Sequence, residues 1–132
     1  MSVERALAAG RRAAERLMVD QCVIRRRTGR ATDPDTGVIT DTWDDVYTGR
    51  CKVQQAAVQS RQERPGQAEL LMVRRELHLP VVESAGVRAG DEVDMTACVN
   101  DPDLTGRRLV VRDEAAKSMA TARRLGVEEV TS

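Results

Sequence analysis

The sequence predicts a mainly β fold: a small β-barrel or sandwich with an N-terminal α-helix and a long polar loop between its central strands. Apolar residues recur at a spacing of three to four in residues 2–19, whereas a spacing of two recurs across residues 22–130. Turn-forming residues separate these alternating runs, which is typical of short antiparallel strands. With 132 residues, the chain is expected to form one domain, residues 1–132.

Residues 2–19 are predicted to form an amphipathic helix. Ser2 is a suitable N-cap, and Gly10 beside the apolar face would allow another backbone to approach closely. The opposite face is basic, so the helix could bind nucleic acid or membrane, or it could pack on its own domain or a neighbour. The apolar face consists of Val3, Ala6, Leu7, Ala13, Ala14, Leu17 and Met18, and the basic face carries Arg5, Arg12 and Arg16.

The first strands are predicted around a tight turn at residues 33–37. In "CVIRRR", Cys22 and Ile24 point to one side. "DPDTG" contains turn residues, and "VITDTW" and "VYTGRCKVQ" then predict two strands on either side of Asp44 and Asp45. In the second of these, Tyr47, Cys51 and Val53 are expected to face inward.

A polar segment at residues 56–68 interrupts the strands and is predicted to be a long flexible loop. Its Pro-Gly pair breaks regular structure, and polar loops of this length in small domains are usually functional or disordered. "AELLMVRRELHLPV" follows as a long strand, although helix is the competing prediction for residues 68–77. His78 is expected on the polar, solvated face of that strand. The candidate loop residues are Gln59, Ser60, Arg61, Gln62, Glu63, Arg64, Pro65, Gly66 and Gln67.

Three further strands are predicted in the last third of the chain. Turns at Gly86 and Gly90 lead into "EVDMTACV", and "NDPDLTG" connects it to "RRLVVRDEA". The last strand is expected to end near Val130. In "EVDMTACV" the residues expected to face one way are Val93, Met95, Ala97 and Val99.

The charge distribution is uneven, although the formal net charge is zero. Residues 1–30 hold eight arginines against three acidic residues, and residues 31–48 hold five aspartates and no basic residue. Adjacent blocks of opposite sign suit internal pairing or side-by-side contact between copies of the chain, and a solvated surface is the remaining alternative. The candidate inter-subunit contacts are Arg25, Arg26, Arg27, Asp41, Asp44 and Asp45.

The sequence predicts no enzyme, metal site or cofactor. A single histidine, His78, allows no Ser/His/Asp or Cys/His arrangement, and no glycine-rich phosphate motif occurs. The three cysteines, Cys22, Cys51 and Cys98, are far apart and lack metal-ligand spacing, so buried thiols in a reducing compartment are expected. No secretory region or membrane span is predicted, so the chain is expected to be made in the cytoplasm.

The order of these motifs resembles the small head-tail connector proteins of tailed bacteriophages, and is most similar to the group found in phages and prophages of actinobacteria. The resemblance rests on the aspartate-rich turn and "TGVITDTWDDVYTGRCKVQ", a polar loop, "ELHLPV", "GDEV", "DPDLTGRRLVV" and "SMATARRLGVEEV". It covers nearly the whole chain.

This resemblance implies a virion structural role in the neck, after assembly in the host cytoplasm. Such proteins are small β-barrels that form a ring between the portal and adaptor on one side and the tail on the other. In stopper-type members, a long loop of each copy projects into the channel and helps retain packaged double-stranded DNA. Residues 56–68 would be that loop by position, and their contact with DNA would be non-specific.

Two other functions stay open at the sequence level. One is a tail terminator or another neck component, although an adaptor is expected to be mainly helical. The other is a free-standing β-barrel that binds nucleic acid or a protein partner, which predicts a stable monomer with a concentrated basic face.

Overall fold

The computed structural model describes residues 2–55, 59–61, 70–72, 75–114 and 116–130, with the backbone alone for 59–61 and 70–72. This part of the chain is mainly β with an N-terminal helix, as the sequence predicts. The helix is α1 (Val3–Arg16), and the strands are β1 (Asp20–Thr32), β2 (Ile39–Gln55), β3 (Gln59–Arg61), β4 (Leu70–Met72), β5 (Arg75–Leu79), β6 (Glu92–Ala97), β7 (Arg108–Glu114) and β8 (Arg123–Glu129).

Six of the described strands close into an antiparallel barrel. The order around it is β1, β2, β5, β8, β7 and β6, and β6 pairs back onto β1. Closure removes the unpaired edges that an open sheet would expose. Of the two predicted alternatives, the fold is therefore the barrel and not the sandwich. The remaining strands, β3 and β4, form a separate two-stranded ribbon.

Apolar side chains of alternating residues fill the barrel. Ile24, Leu77, Leu79, Val93 and Leu109 are completely buried. The core positions alternate in β1, β5, β6 and β7 as predicted, although His78 of β5 and Val110 of β7, between core positions, are buried as well. Aliphatic residues and sulfur-containing residues supply nearly all of this core, since the chain has no Phe and one Trp.

β2 is a single strand of 17 residues, whereas the sequence predicted a break at Asp44 and Asp45. The pairing of β1 with β2 is instead irregular at this point. Ile24 pairs with Tyr47, whereas the next residue, Arg25, pairs with Asp45, so that Val46 has no partner in the register. Val46 is thus the extra residue of a bulge, and bulges bend a strand without ending it. Tyr47 and Cys51 face the core, as expected, and Val53 packs against it.

The end of β6 differs from the prediction. Val93 and Met95 are buried, but the strand ends at Ala97, and the side chain of Val99 is 75% exposed. Cys98 is buried instead, and its backbone N–H donates to Thr105 Oγ1 at 3.1 Å. The turn residues that follow change the direction of the chain, so the alternation does not continue to Val99.

Helix α1 begins as predicted but ends earlier, at Arg16. Ser2 is its N-cap and accepts a hydrogen bond from the backbone N–H of Arg5 at 3.2 Å. The predicted apolar face is only partly covered, since Val3 and Leu17 are 63% and 61% exposed. Among the described residues, no helix has the length and apolarity that a bilayer crossing requires.

Gly10 allows a close contact between α1 and the segment before β8. A Cβ atom at Gly10 would lie 2.8 Å from Thr121 Cγ2, and Arg11 Nε donates to the carbonyl of Ala120 at 3.1 Å. The sequence predicted close approach at Gly10, and the neighbour is the side chain of Thr121 rather than a backbone.

The prediction that His78 is solvated is wrong. His78 is 8% exposed, and its Nε2 lies 3.1 Å from Glu76 Oε2. Arg50 of β2 pairs with Glu15 of α1 at 3.4 Å, while the helix also contacts Ala120, which precedes β8. In the ladders His78 lies between Lys52 of β2 and Arg124 of β8, so its neighbours on the outer face have long side chains that can cover it.

Candidate interaction surfaces

The most extended surface is a two-stranded ribbon formed by β1 and β2 beyond the barrel, which we call the β1–β2 arm (residues 26–45). Strand β1 pairs with β6 from Gln21 to Arg25, and β2 pairs with β5 from Lys52 to Gln55. Within the described ranges, residues 26–32 and 39–45 therefore pair with each other and with no other strand. The arm has two free backbone edges.

The turn of the arm has the chemistry that the sequence predicted. The Gly37 backbone N–H donates to the Asp33 carbonyl at 2.8 Å, and Gly37 has a positive φ of 72°. Asp33 also accepts from the Asp35 N–H through its side chain at 2.9 Å. A glycine tolerates this left-handed conformation without steric cost, so the turn closes the long ribbon.

At its base, the arm is joined to the barrel by Arg26 and Asp91. Arg26 Nε and Nη2 each lie 2.9 Å from a different carboxylate oxygen of Asp91, and Nη2 also donates to the Gly86 carbonyl at 2.7 Å. Asp91 is 2% exposed, and it accepts a further hydrogen bond from the Arg88 backbone N–H at 2.8 Å. Hydrogen bonding to Asp91 raises the pKa of Arg26. This pair fixes where the arm leaves the barrel.

Other charged groups along the arm, and Arg25 in the barrel next to its base, are also paired. Arg27 and Arg30 share one carboxylate, with Nε atoms 3.3 and 3.6 Å from Asp41 Oδ1. Arg25 forms a salt bridge with Asp94 of β6, and its guanidinium carbon lies 5.6 Å from the centre of the Trp43 ring. Internal pairing between the two charge blocks thus holds for Arg27, Arg30 and Asp41, whereas Arg25 and Arg26 pair outside the acidic block, with Asp94 and Asp91.

Asp44 and Asp45 differ from these residues. They stand directly across the ladder from Arg26 and Arg25, yet those two arginines bind Asp91 and Asp94 instead. Both aspartates are exposed, and neither has an ion pair among the residues that the structure describes. The predicted role of all six charged residues between subunits stays a prediction.

The polar segment predicted as a channel loop lies partly within the described residues. Gln59, Ser60 and Arg61 form β3, which pairs with Met72, Leu71 and Leu70 of β4. Residues 59–61 of the predicted loop are therefore part of a two-stranded ribbon. Along the chain, the ribbon pairs follow the Gln55–Arg75 pair of β2 and β5. Gln62, Glu63, Arg64, Pro65, Gly66 and Gln67 lie outside the described residues.

Two open clefts of about 360 Å³ each lie on the barrel. One arginine side chain at each cleft already binds other groups of the protein. In the first, Arg123 donates to Ser84 Oγ at 2.9 Å and to the Val81 carbonyl at 2.8 Å. In the second, Arg107 contacts Glu129 at 2.7 Å, and this hydrogen bond lowers the pKa of Glu129. Neither cleft leaves a cluster of polar groups directed at a ligand.

The cysteines are free, buried thiols, as predicted. A hydrogen bond with Cys22, together with burial, raises the pKa of Cys51, and burial raises that of Cys98. Raised thiol pKa values disfavour the reactive thiolate. Across the described ranges, no group of three or more His, Cys, Asp or Glu side chains is arranged to hold a metal ion.

Sequence reasoning missed Asp91 and Asp94 as the partners of Arg26 and Arg25. Both lie in "GDEVD", which was interpreted as a turn and a strand. The available signal was the alternation of that strand, which places Asp94 on the outer face between buried Val93 and Met95. An arginine from a neighbouring strand could have been expected there.

Comparison with known families gives a match over most of the chain. A family model described as "Family of unknown function (DUF6093)" matches residues 10–128. No curated protein matches the chain.

Proposed function

The chain belongs to this family of unknown function, since the match spans most of its length, and we propose that it is a virion structural protein of the head-tail connector. In this proposal, copies form a ring between the portal and adaptor on one side and the tail on the other. The ring helps to close the DNA channel and provides a surface on which the tail docks. The protein is assembled from the host cytoplasm into the virion neck.

The observation that supports this proposal best is the reach of β2 beyond a small barrel. Residues 39–45 of β2 form one strand of the β1–β2 arm, and at about 3.3 Å per residue they extend roughly 23 Å when straight. The last residues of β2 precede the β3–β4 ribbon in the chain. A ribbon that projects from a compact barrel has little stability of its own, because isolated two-stranded hairpins are marginally stable in water. Contacts with neighbouring copies would compensate for this.

The channel contact is proposed from chain position. Residues 56–68 lie between the two central strands β2 and β5, where stopper-type connectors carry their channel loop. Arg61 and Arg64 would approach the packaged DNA there, and the ring would multiply their weak positive charge. The contact would involve phosphates, independent of base sequence and sensitive to salt.

A second candidate, a free-standing barrel that binds nucleic acid, is favoured by the outer face of α1. Arg5, Arg12 and Arg16 are exposed and lie on one side of the helix, at spacings of seven and four residues. None has an ion pair among the described residues. This candidate predicts a monomer that binds duplex DNA in solution, with affinity that falls steeply as salt rises. A tail terminator or another neck component is the nearer alternative.

Deletion of the gene from the phage or prophage that encodes it tests the proposal. We expect electron microscopy to show filled heads without tails, or heads that have lost their DNA, and we expect plasmid-borne protein to restore infectious particles. Deletion virions with attached tails and retained DNA would contradict it. The gene neighbourhood is a cheaper check, since portal and capsid genes should precede the gene and tail genes should follow it.

A further inference from the structure

We propose that the β1–β2 arm joins copies of this chain head to tail, with the β1 edge of one arm lying against the β2 edge of the next. The inference rests on the proposed function in one respect, since it supplies the contact that builds the ring. It commits to one partner, a second copy of the same chain.

The first argument is the free backbone on both sides of the arm. Residues 26–32 of β1 and 39–45 of β2 pair with each other, and no other described strand lies beside them. Each outer edge therefore presents backbone N–H and C=O groups that can pair with an added strand. In the described barrel, by contrast, every strand has a partner on both sides.

The second argument is the separation of charge between the two strands. Arg27 and Arg30 on β1 share the single carboxylate of Asp41, and their side chains stay 46% and 63% exposed. Asp44 and Asp45 on β2 are exposed without an ion pair among the described residues, because Arg26 and Arg25 bind Asp91 and Asp94. The β1 edge thus carries two exposed arginines that share one carboxylate. The β2 edge carries two carboxylates that have no ion pair among the described residues.

These charges lie where an added strand would meet them. The ladder places Arg30 opposite Asp41 and Arg25 opposite Asp45, so these residues share one face of the arm with Arg27, which reaches Asp41 diagonally. Side chains of adjacent strands on the same face lie about 5 Å apart. When a β1 edge meets a β2 edge, Arg27 and Arg30 of one copy therefore lie on the same face as Asp45 of the next, whereas Asp44 lies on the opposite face with Arg26.

Opposite charge on the two edges also sets the direction of assembly. Two β1 edges would bring arginines together, and two β2 edges would bring aspartates together, so both symmetric pairings are disfavoured. The complementary pairing uses different surfaces on the two copies, and a repeated contact of that kind closes into a ring or continues as a filament. Edge charges can also discourage aggregation, but opposite signs on the two edges favour contact between a β1 edge and a β2 edge.

Two charge-reversal variants of the full chain test the proposal. The acidic-edge variant carries Asp44→Arg and Asp45→Arg, and the basic-edge variant carries Arg27→Glu and Arg30→Glu. We expect sedimentation velocity to show concentration-dependent self-association of the wild-type chain, weaker at high salt. Each variant on its own should associate at least about tenfold more weakly, because like charges then face each other across the contact.

Mixing the two variants is the decisive step. Both edges of the acidic-edge variant are basic, and both edges of the basic-edge variant are acidic, so the two proteins should associate in alternation. A misfolded protein cannot be rescued in this way, so rescue also controls for folding. The matched control for the acidic-edge variant carries Glu83→Arg and Asp103→Arg. These make the same change in net charge at exposed positions outside the arm, so the control should associate like the wild type.

Three results would overturn the proposal: no self-association of the wild-type chain at its highest soluble concentration, no rescue on mixing, or equal loss in the control. The outcome is separate from the virion test. Normal tails on deletion virions would contradict the connector function but not arm-mediated association. Failed rescue on mixing would contradict this contact but not the connector function.

Discussion

Arg26 and Asp91 form a two-point contact, with both N···O distances at 2.9 Å, where β1 passes from the barrel into the arm. The carboxylate is buried, whereas the guanidinium side chain is 43% exposed. The same guanidinium donates to the Gly86 carbonyl, so one side chain ties the arm to the loop before β6. The pair thereby orients the arm with respect to the barrel.

Arg26→Ala should lower the free energy of unfolding by about 2–4 kcal/mol, because it leaves a buried carboxylate without its cation. Arg27→Ala is the control, since Arg27 shares an exposed carboxylate and should contribute less than about 1 kcal/mol. Urea denaturation of both variants measures the difference. Equal effects would show that Arg26 and Asp91 do not hold the arm.

Gly10→Ala should destabilise the protein even though alanine favours helix by about 1 kcal/mol, because the new Cβ would lie against Thr121 Cγ2. In a Thr121→Ala background that methyl group is absent, and Gly10→Ala should become stabilising. A double-mutant cycle from thermal unfolding measures this change of sign. The same effect of Gly10→Ala in both backgrounds would contradict the docking of α1 on this segment.

Tyr47 should titrate well above a free tyrosine. Burial raises its pKa from 10.0 to about 12, and its hydroxyl donates to the Arg50 carbonyl at 2.6 Å. Tyr47 is the only tyrosine in the chain, so the absorbance of the phenolate reports it directly. In denaturant the pKa should return to about 10.

The same shift predicts a pH dependence of stability. Because the folded state holds the proton more tightly, the contribution of Tyr47 is fully present below pH 10 and is lost as pH rises from 10 towards 12. Tyr47→Phe should lack this loss, so the stability difference between the two proteins should shrink over that range. A constant difference would contradict the buried position of the phenol.

The three thiols should react slowly in the folded protein. Cys22, Cys51 and Cys98 are buried, and a raised pKa further disfavours the thiolate of Cys51 and Cys98. A colorimetric disulfide reagent should modify them roughly a hundredfold or more slowly in native buffer than in denaturant. Rapid modification of any of them in native buffer would contradict its place in the core.

Much of the barrel was predictable because alternation and turn chemistry are local. The burial of Leu77 and Leu79 follows from "ELHLP", and the positive φ of Gly37 follows from "DPDTG". These features depend on the pleat of a strand and on the steric freedom of glycine, which operate within a few residues.

The remaining features depend on contacts between distant segments. The burial of His78 depends on its cross-strand neighbours Lys52 and Arg124, and the continuity of β2 depends on a bulge at Val46. The partners of Arg25 and Arg26 lie more than sixty residues away, at Asp94 and Asp91. The sequence showed two charge blocks of opposite sign, but only the fold shows which carboxylates have no ion pair among the described residues.

The location of the protein in mature particles tests the connector proposal most directly. If a phage or prophage encodes the chain, as the proposal requires, its virions should be purified with an epitope-tagged copy of the protein and labelled with gold-conjugated antibody. The proposal predicts label at the junction between head and tail, in several copies per particle. Purified virions that lack the protein, or that carry it elsewhere, would contradict it.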